Sequence, residues 1–470
     1  MRYVSTRGEA PPLDFGEVML AGLARDGGLY VPDSWPQLTR SAIAAFAGAP
    51  YAEVAGEVIR PFVGDAIAEA DLARMVREAY GDFRHPAVAP LAQLGPGHFV
   101  LELFHGPTLA FKDVGARTMA RLMASLDSGD QPLTILAATS GDTGGAAVEA
   151  FRGRACCDLF VLFPHGRVSD VQRRMMTTAA DDNVHAIAIE GTFDDCQALA
   201  KAMFNHHAFR DLVSLSGVNS INWARIAAQV VYYFTAAVAL GAPHRRVAFT
   251  VPTGNFGDIY AGYGALRMGL PIDRLVIATN VNDILVRTLA TGAYELREVM
   301  PTASPSMDIQ VASNFERILF EVYDRDTARV RALMSSLIQS RRFLLSPEAL
   351  SRLRATFSAG RADADETAAT IRTVLRESGY FVDPHTAVGV AVAEKETRDP
   401  AVPMIALATA HAAKFPDAME AACGVRPPLP DWLADLERRQ ERVTLLPADQ
   451  AQVERHILAT SRATREGAAA

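Results

Sequence analysis

The chain has 470 residues, with 46 Lys plus Arg against 54 Asp plus Glu for a net charge of −8. At 49% apolar and 21% charged it has the composition of a folded protein with a large core, which excludes a disordered or fibrous chain. The acidic balance argues against a nucleic-acid or anionic-membrane surface but leaves room for a small basic pocket.

At roughly 150 residues per domain, the length predicts two or three domains. Only four cysteines occur, Cys156, Cys157, Cys196 and Cys423, too few for a disulfide framework. No His-Glu-x-x-His is present. These features predict a reduced, cytoplasmic setting and no structural metal. Residues 1–8 contain no apolar run of signal-peptide length, and no stretch of 18 uninterrupted apolar residues appears anywhere, so neither a leader nor a membrane span is expected.

In chain order, the first 85 or so residues mix a turn at Asp26-Gly27-Gly28, a short run Leu29-Tyr30-Val31 and helical spacing over 43–67; they read as an accessory region. From Phe99 the texture becomes strand–loop–helix. The nearly continuous apolar run Leu133 to Ala138 predicts a parallel strand covered on both faces. Further strands are predicted at 158–163, 184–189, 247–251, 275–278 and 402–408. Helices are predicted after 112, through Phe151, from about Phe193, over 221–240, 259–268 and 282–291. Residues 301–306 read as a loop, and 326–377 as helices interrupted at Ala359-Gly360. The tail after about Ile457 is expected to fray. Strands alternating with helices predict an α/β protein with two open parallel sheets.

In such sheets ligands gather at the carboxyl ends of strands, where helix N-termini converge. Four loops of this kind stand out. Gly254-Asn255-Phe256-Gly257-Asp258 follows a strand and opens a helix, with glycines free to take unusual angles and amides able to hold a phosphate. No P-loop and no Gly-x-Gly-x-x-Gly fingerprint accompanies it, so a nucleotide is not the expected owner. Lys112 falls in the first turn of a helix, where the dipole would lower its pKa and favour use as a nucleophile or base. Ser140-Gly141-Asp142-Thr143-Gly144 offers hydroxyls and amides suited to a carboxylate, with helix capping by Ser140 or Asp142 as the bland alternative. Thr409 ends the last strand, close to Lys414, while Asn222 and Arg225 open the long helix. An amine, a phosphate cradle, a carboxylate cradle and a hydroxyl form the inventory a pyridoxal phosphate enzyme needs.

These segments, with Asp26 to Pro32, Asn219-Ser220-Ile221-Asn222, Ala278 to Asp283 and Leu407 to His411, resemble threonine synthase in its longer form, a pyridoxal phosphate enzyme of the tryptophan-synthase β-like fold (fold type II). The resemblance implies that Lys112 forms the Schiff base beside Phe111. It implies that Gly254, Asn255, Phe256 and Gly257 hold the cofactor phosphate, and that Thr409 faces the pyridine nitrogen. The substrate carboxylate is then met by Ser140, Asp142 and Thr143. Asp142 stands where many relatives in the wider fold have Asn. Arg225 and Lys414 are the candidates for the phosphate of O-phospho-L-homoserine, with Asn222, Ser220 and His385 behind them.

The implied reaction is conversion of O-phospho-L-homoserine and water to threonine and phosphate; a serine or threonine dehydratase on the same scaffold is the alternative. The expected divisions are an N-terminal accessory region (1–90), a first α/β domain (91–215), a second (216–425) and a helical tail (426–470). A monomer is expected, with a homodimer as the alternative, and neither nucleic acid nor membrane as partner.

Overall fold

A computed structural model describes residues 1–126 and 132–466. Two parallel sheets dominate it. The larger has six strands in the order Phe357–Arg361, Ile272–Thr279, Val247–Pro252, Met404–Ala408, His98–Glu102 and Leu91–Gly95. Neighbours are parallel up to the last pair, which is an antiparallel hairpin. The smaller has five parallel strands in the order Thr444–Pro447, Val184–Glu190, Cys157–Pro164, Leu133–Ala138 and Leu215–Gly217. Every residue of Cys157–Pro164 and of Val247–Pro252 is buried. The apolar runs are therefore covered on both faces, as parallel sheets require.

The helix Trp223–Ala239 is buried without interruption from Trp223 to Phe234. Helix Lys112–Leu126 packs closely against it: a Cβ at Gly115 would lie 3.4 Å from Arg225 Cβ. That close approach fixes Lys112 relative to the core rather than to a surface loop. Among the described residues no helix is long and apolar enough to cross a membrane, and no group of three or more His, Cys, Asp or Glu could hold a metal ion.

The structure departs from the sequence reading in four places. The helical break at Ala359-Gly360 is strand Phe357–Arg361, in register with Leu275–Thr279; Gly360 is needed because a Cβ there would meet Val392 Cγ1 at 2.7 Å. The sheets cut across the expected divisions. Strands 91–102 join the sheet of the second division, and the expected helical tail donates strand Thr444–Pro447 to the sheet of the first. The tail is also docked past Ile457: Asp158 accepts from the backbone N–H of Arg462 at 2.6 Å and pairs with its Nε at 2.7 Å. Only 467–470 of the expected frayed tail lie outside the described residues. Finally, the accessory region reaches the central cavity through Arg7, Leu23 and Leu29.

Candidate active site

Loops at the carboxyl ends of strands from both sheets enclose a cavity of about 680 Å³, within the size range of small-ligand sites. Lys112, Ser140, Asp142, Thr143, Arg225, the Pro252–Asp258 loop and Thr409 all contribute to its wall. The fold thus brings these strand-end loops to one place.

Lys112 opens helix Lys112–Leu126 and is 9% exposed. Its segment is stitched to the last core strand by backbone bonds: Phe111 N–H donates to Thr409 O (2.9 Å) and His411 N–H to Leu109 O (3.0 Å). One residue later, Asp113 accepts from the Thr108 N–H and hydroxyl at 2.9 and 2.7 Å, locking the turn. The ammonium lies 3.6 Å from Asp142 Oδ2, donates to Ser306 Oγ at 3.4 Å, and stands 5.5 Å from the Phe111 ring centre. Its pKa is pulled down to about 8. Burial is the leading cause, Asp142 opposes it, and Lys414 and Arg225 reinforce it. Desolvation and neighbouring cations, more than the dipole invoked from sequence, make this amine available as a base.

The loop Thr253–Gly257 works differently from the sequence expectation. Its left-handed residue is Phe256, at φ 64°, not a glycine. That conformation costs a non-glycine residue about 1–2 kcal/mol, offset by packing of the ring on Phe315 and Phe357. The glycines supply space instead. A Cβ at Gly254 would stand 2.3 Å from Ser306 O, and one at Gly257 3.3 Å from Asn314 Nδ2. Gly257 begins helix Gly257–Arg267, whose N-terminal amides point toward the cavity end of the strand.

Across the cavity, Thr139 Oγ1 accepts from the N–H groups of Gly141 (2.9 Å) and Gly144 (3.0 Å), so Thr139 does the capping expected of Ser140 or Asp142. Ser140 and Thr143 are left lining the cavity. Asp142 is nearly inaccessible. Its Oδ1 pairs with Lys414 Nζ at 2.6 Å and accepts from Gln172 Nε2 at 3.0 Å. Burial alone would raise this carboxyl, but Lys414, Lys112 and His385 together hold it well below the usual carboxylate range. As an anion, Asp142 offers no donor to a carboxylate, and its two oxygens face Lys414 and Lys112.

Two expected substrate ligands are corrected. Lys414 is 0% exposed, pairs with Asp142, donates to Thr108 O at 2.8 Å, and is outside the cavity wall. Asn222 is also 0% exposed. It caps helix Trp223–Ala239 through Ala224 N–H and donates to Met19 O (2.8 Å) and Gly217 O (3.2 Å). Arg225 does face the cavity. Its Nη1 donates to Val218 O at 2.9 Å while Nε has no partner among the described residues, and burial lowers its pKa to about 10.

Two contributors, Ser306 and Asn314, were not legible, and a third, His385, was only a weak candidate. Ser306 belongs to the turn Pro305–Met307, which the sequence shows only as a loop; Asn280 pins it through Ser304 Oγ (2.9 Å) and Asp308 (2.8 Å). His385, a weak candidate from sequence, accepts from Ser306 N–H at 3.2 Å while its Nδ1 faces Asp383 at 2.7 Å. Asn314 donates to Asn255 O (3.0 Å) and Ser220 Oγ (3.2 Å), bracing the glycine loop. Ser306 and Asn314 are polar residues in aperiodic stretches and give no sequence signal for these roles, whereas Asn280 lies in the Ala278 to Asp283 segment that carries the resemblance.

Comparison with known proteins identifies the arrangement. Residues 2–80 match the family described as Threonine synthase N terminus, 85–409 Pyridoxal-phosphate dependent enzyme, and 386–457 Threonine synthase, C-terminal. A threonine synthase of Pseudomonas aeruginosa is 51% identical over 459 residues, 97% of this chain and 98% of that one.

The chain belongs to the threonine synthase family.

Among solved structures, the PLP-bound threonine synthase of Brucella melitensis matches with a TM-score of 0.94 and 61% identity, covering 98% of this chain and 100% of that one. The Escherichia coli threonine synthase matches at 0.85 and 32%, with the same coverage. The fold is the pyridoxal-phosphate type II fold, and pyridoxal phosphate is the cofactor. The residues present fit it. The glycine cradle has no space for a Cβ at Gly254, Lys112 offers a buried amine of lowered pKa, and Arg225 Nε and Asn219 Oδ1, from residues of the cavity wall, are buried polar atoms without partners among the described residues.

Proposed function

We propose that the chain converts O-phospho-L-homoserine and water to L-threonine and phosphate, with Lys112 as the amine that holds the cofactor and moves the protons. The observation that carries this reading is the buried Lys112 amine at 3.6 Å from Asp142 in the wall that also contains the glycine loop and Thr409. Gly254, Asn255, Phe256 and Gly257 would hold the cofactor phosphate, Phe111 would lie beside it, and Thr409 would supply the hydroxyl for its pyridine nitrogen. When bound, the cofactor provides the electron sink for charge developing at the substrate carbons.

The chain's own residues then account for binding and proton movement. Ser140 and Thr143 take the substrate carboxylate. Lys112 removes the Cα proton and then a Cβ proton, the phosphate leaves Cγ, and a proton returns there; water adds at Cβ to complete threonine. A lysine whose pKa lies near 8 can both accept and return protons near neutral pH. Of the two cations considered for the substrate phosphate, Arg225 remains, since Lys414 is committed to Asp142. Guanidinium geometry suits a bidentate grip on phosphate.

A cysteine count of four, too low for a disulfide framework, supports a reducing compartment such as the cytoplasm.

The test is product analysis. Protein supplied with cofactor is incubated separately with O-phospho-L-homoserine and with threonine, and threonine, phosphate and 2-oxobutanoate are measured. Equal release of threonine and phosphate from the first is expected. 2-Oxobutanoate from threonine, with no threonine formed from the phosphorylated substrate, would replace this reading with a dehydratase.

A further inference from the structure

Two buried ammonium groups converge on one buried carboxylate. The side chains of Lys414, Asp142 and Lys112 are 1%, 4% and 11% exposed. The two carboxylate oxygens are divided between them. Oδ1 is committed to Lys414 at 2.6 Å and to Gln172 at 3.0 Å, while Oδ2 faces Lys112 at 3.6 Å. Lys414 is further fixed by donating to Thr108 O, in the turn that leads to Lys112. Gly141 makes room for this, since a Cβ there would stand 2.5 Å from the Gln172 amide carbon. Substrate in the cavity does not reach Lys414, which lies behind Asp142 and outside the wall.

The arrangement has a charge consequence. Asp142 alone beside Lys112 would form a buried ion pair and hold the Lys112 nitrogen in its cationic form. A second ammonium on the far oxygen neutralises Asp142 whatever Lys112 does. The Lys112 nitrogen is then free to lose its proton without leaving an uncompensated buried anion. We propose that Lys414 is a positioning residue, the permanent counter-ion of Asp142, through which it sets how readily the Lys112 nitrogen gives up its proton. The proposal rests on the reading of Lys112 as the cofactor-holding amine. The other groups facing this nitrogen are Arg225 from helix Trp223–Ala239 and the Ser306 hydroxyl from the turn at 305–307; His385, paired with Asp383, faces Asp142 from helix Pro384–Lys395. The lowered pKa of Lys112, to which Lys414 contributes after burial and against Asp142, agrees in direction.

The experiment is a pH titration of the visible absorption of the cofactor-loaded, full-length enzyme, with KM for O-phospho-L-homoserine measured alongside. Borohydride reduction and peptide mapping come first. An adduct on Lys112 is expected, and an adduct on another residue would remove the underlying reading and the proposal with it. Lys414→Met is expected to raise the absorption midpoint by about one to three pH units, the shift typical of a lost charge within a few ångströms. Asp142→Asn is expected to lower it. Asp142→Asn combined with Lys414→Met is expected to bring it back toward wild type. That pair of backgrounds keeps the test open if Lys414→Met alone does not fold, because the combined variant removes the buried carboxylate and its counter-ion together. A raised KM with an unmoved midpoint in Lys414→Met, or equal midpoints in Asp142→Asn and the combined variant, would overturn the proposal.

Discussion

Asp142 and Asp258 invite comparison. Each lies in the first turn of a helix that follows a strand-end loop, and each contributes to the cavity wall. Both are fully enclosed, yet their charges are governed in opposite ways. Burial raises both, but Lys414 at 2.6 Å reverses the effect for Asp142. Among the described residues Asp258 has no ammonium partner. It accepts from the hydroxyls of Tyr232 and Tyr233 at 2.5 and 3.0 Å, its Oδ2 has no partner among the described residues, and burial leaves its carboxyl at about 6. Burial sets the size of the problem, and the partner sets its sign. The loop before Asp142 therefore manages charge, whereas the loop before Asp258 manages space, through Gly254 and Phe256.

Breaking the charged side should have the larger consequences. Lys112→Ala should lower threonine formation by at least about 10³-fold, as expected when a nucleophile that is also the base is removed, measured as threonine released per unit enzyme. Asp142→Ala should destabilise the protein by about 3–5 kcal/mol, because it leaves the Lys414 ammonium buried without its carboxylate; denaturant unfolding reads this directly. Arg225→Ala should weaken use of O-phospho-L-homoserine by about 2 to 4 kcal/mol, the scale of a lost charge-assisted contact, seen chiefly in KM. An unchanged kcat/KM would take Arg225 out of the site.

The spatial side should respond more gently. Gly254→Ala forces its Cβ against Ser306 O, a backbone atom that must shift, at a cost of about 1–3 kcal/mol. Weaker cofactor binding in equilibrium titration is the expected sign. Asp258 gives the smallest effect. Its folded pKa is raised above the unfolded value, so its contribution to stability is complete below about 4 and is lost as pH rises through about 6. Asp258→Asn should flatten that decline in unfolding measurements between those values. Asp142 runs the other way. Its stabilisation is present above the unfolded carboxylate pKa and is lost only as pH falls well below it.

Lys112, Thr409 and the 254–257 loop were legible because each ends or follows an apolar strand, where the chain pattern itself marks the position. Their number and order also carried the family resemblance. Lys414 and Asn222 were misread because a polar residue beside a motif looks the same in sequence whether it meets a ligand or satisfies a neighbouring buried group. The loop glycines were expected to take unusual backbone angles, but Phe256 does, a tertiary choice set by Phe315 and Phe357. The strand at 357–361 was hidden by Ala359-Gly360, whose small size serves packing against Val392. Strand Thr444–Pro447 is four residues on an edge, too short to stand out.

The order of strands in the larger sheet has a consequence for synthesis. The hairpin 91–102 touches the rest of that sheet only through Met404–Ala408, and Phe111 is tied to Thr409. The last ties that set the Lys112 segment therefore form only after more than four hundred residues have been translated, long after helix Trp223–Ala239 is available to pack on its helix.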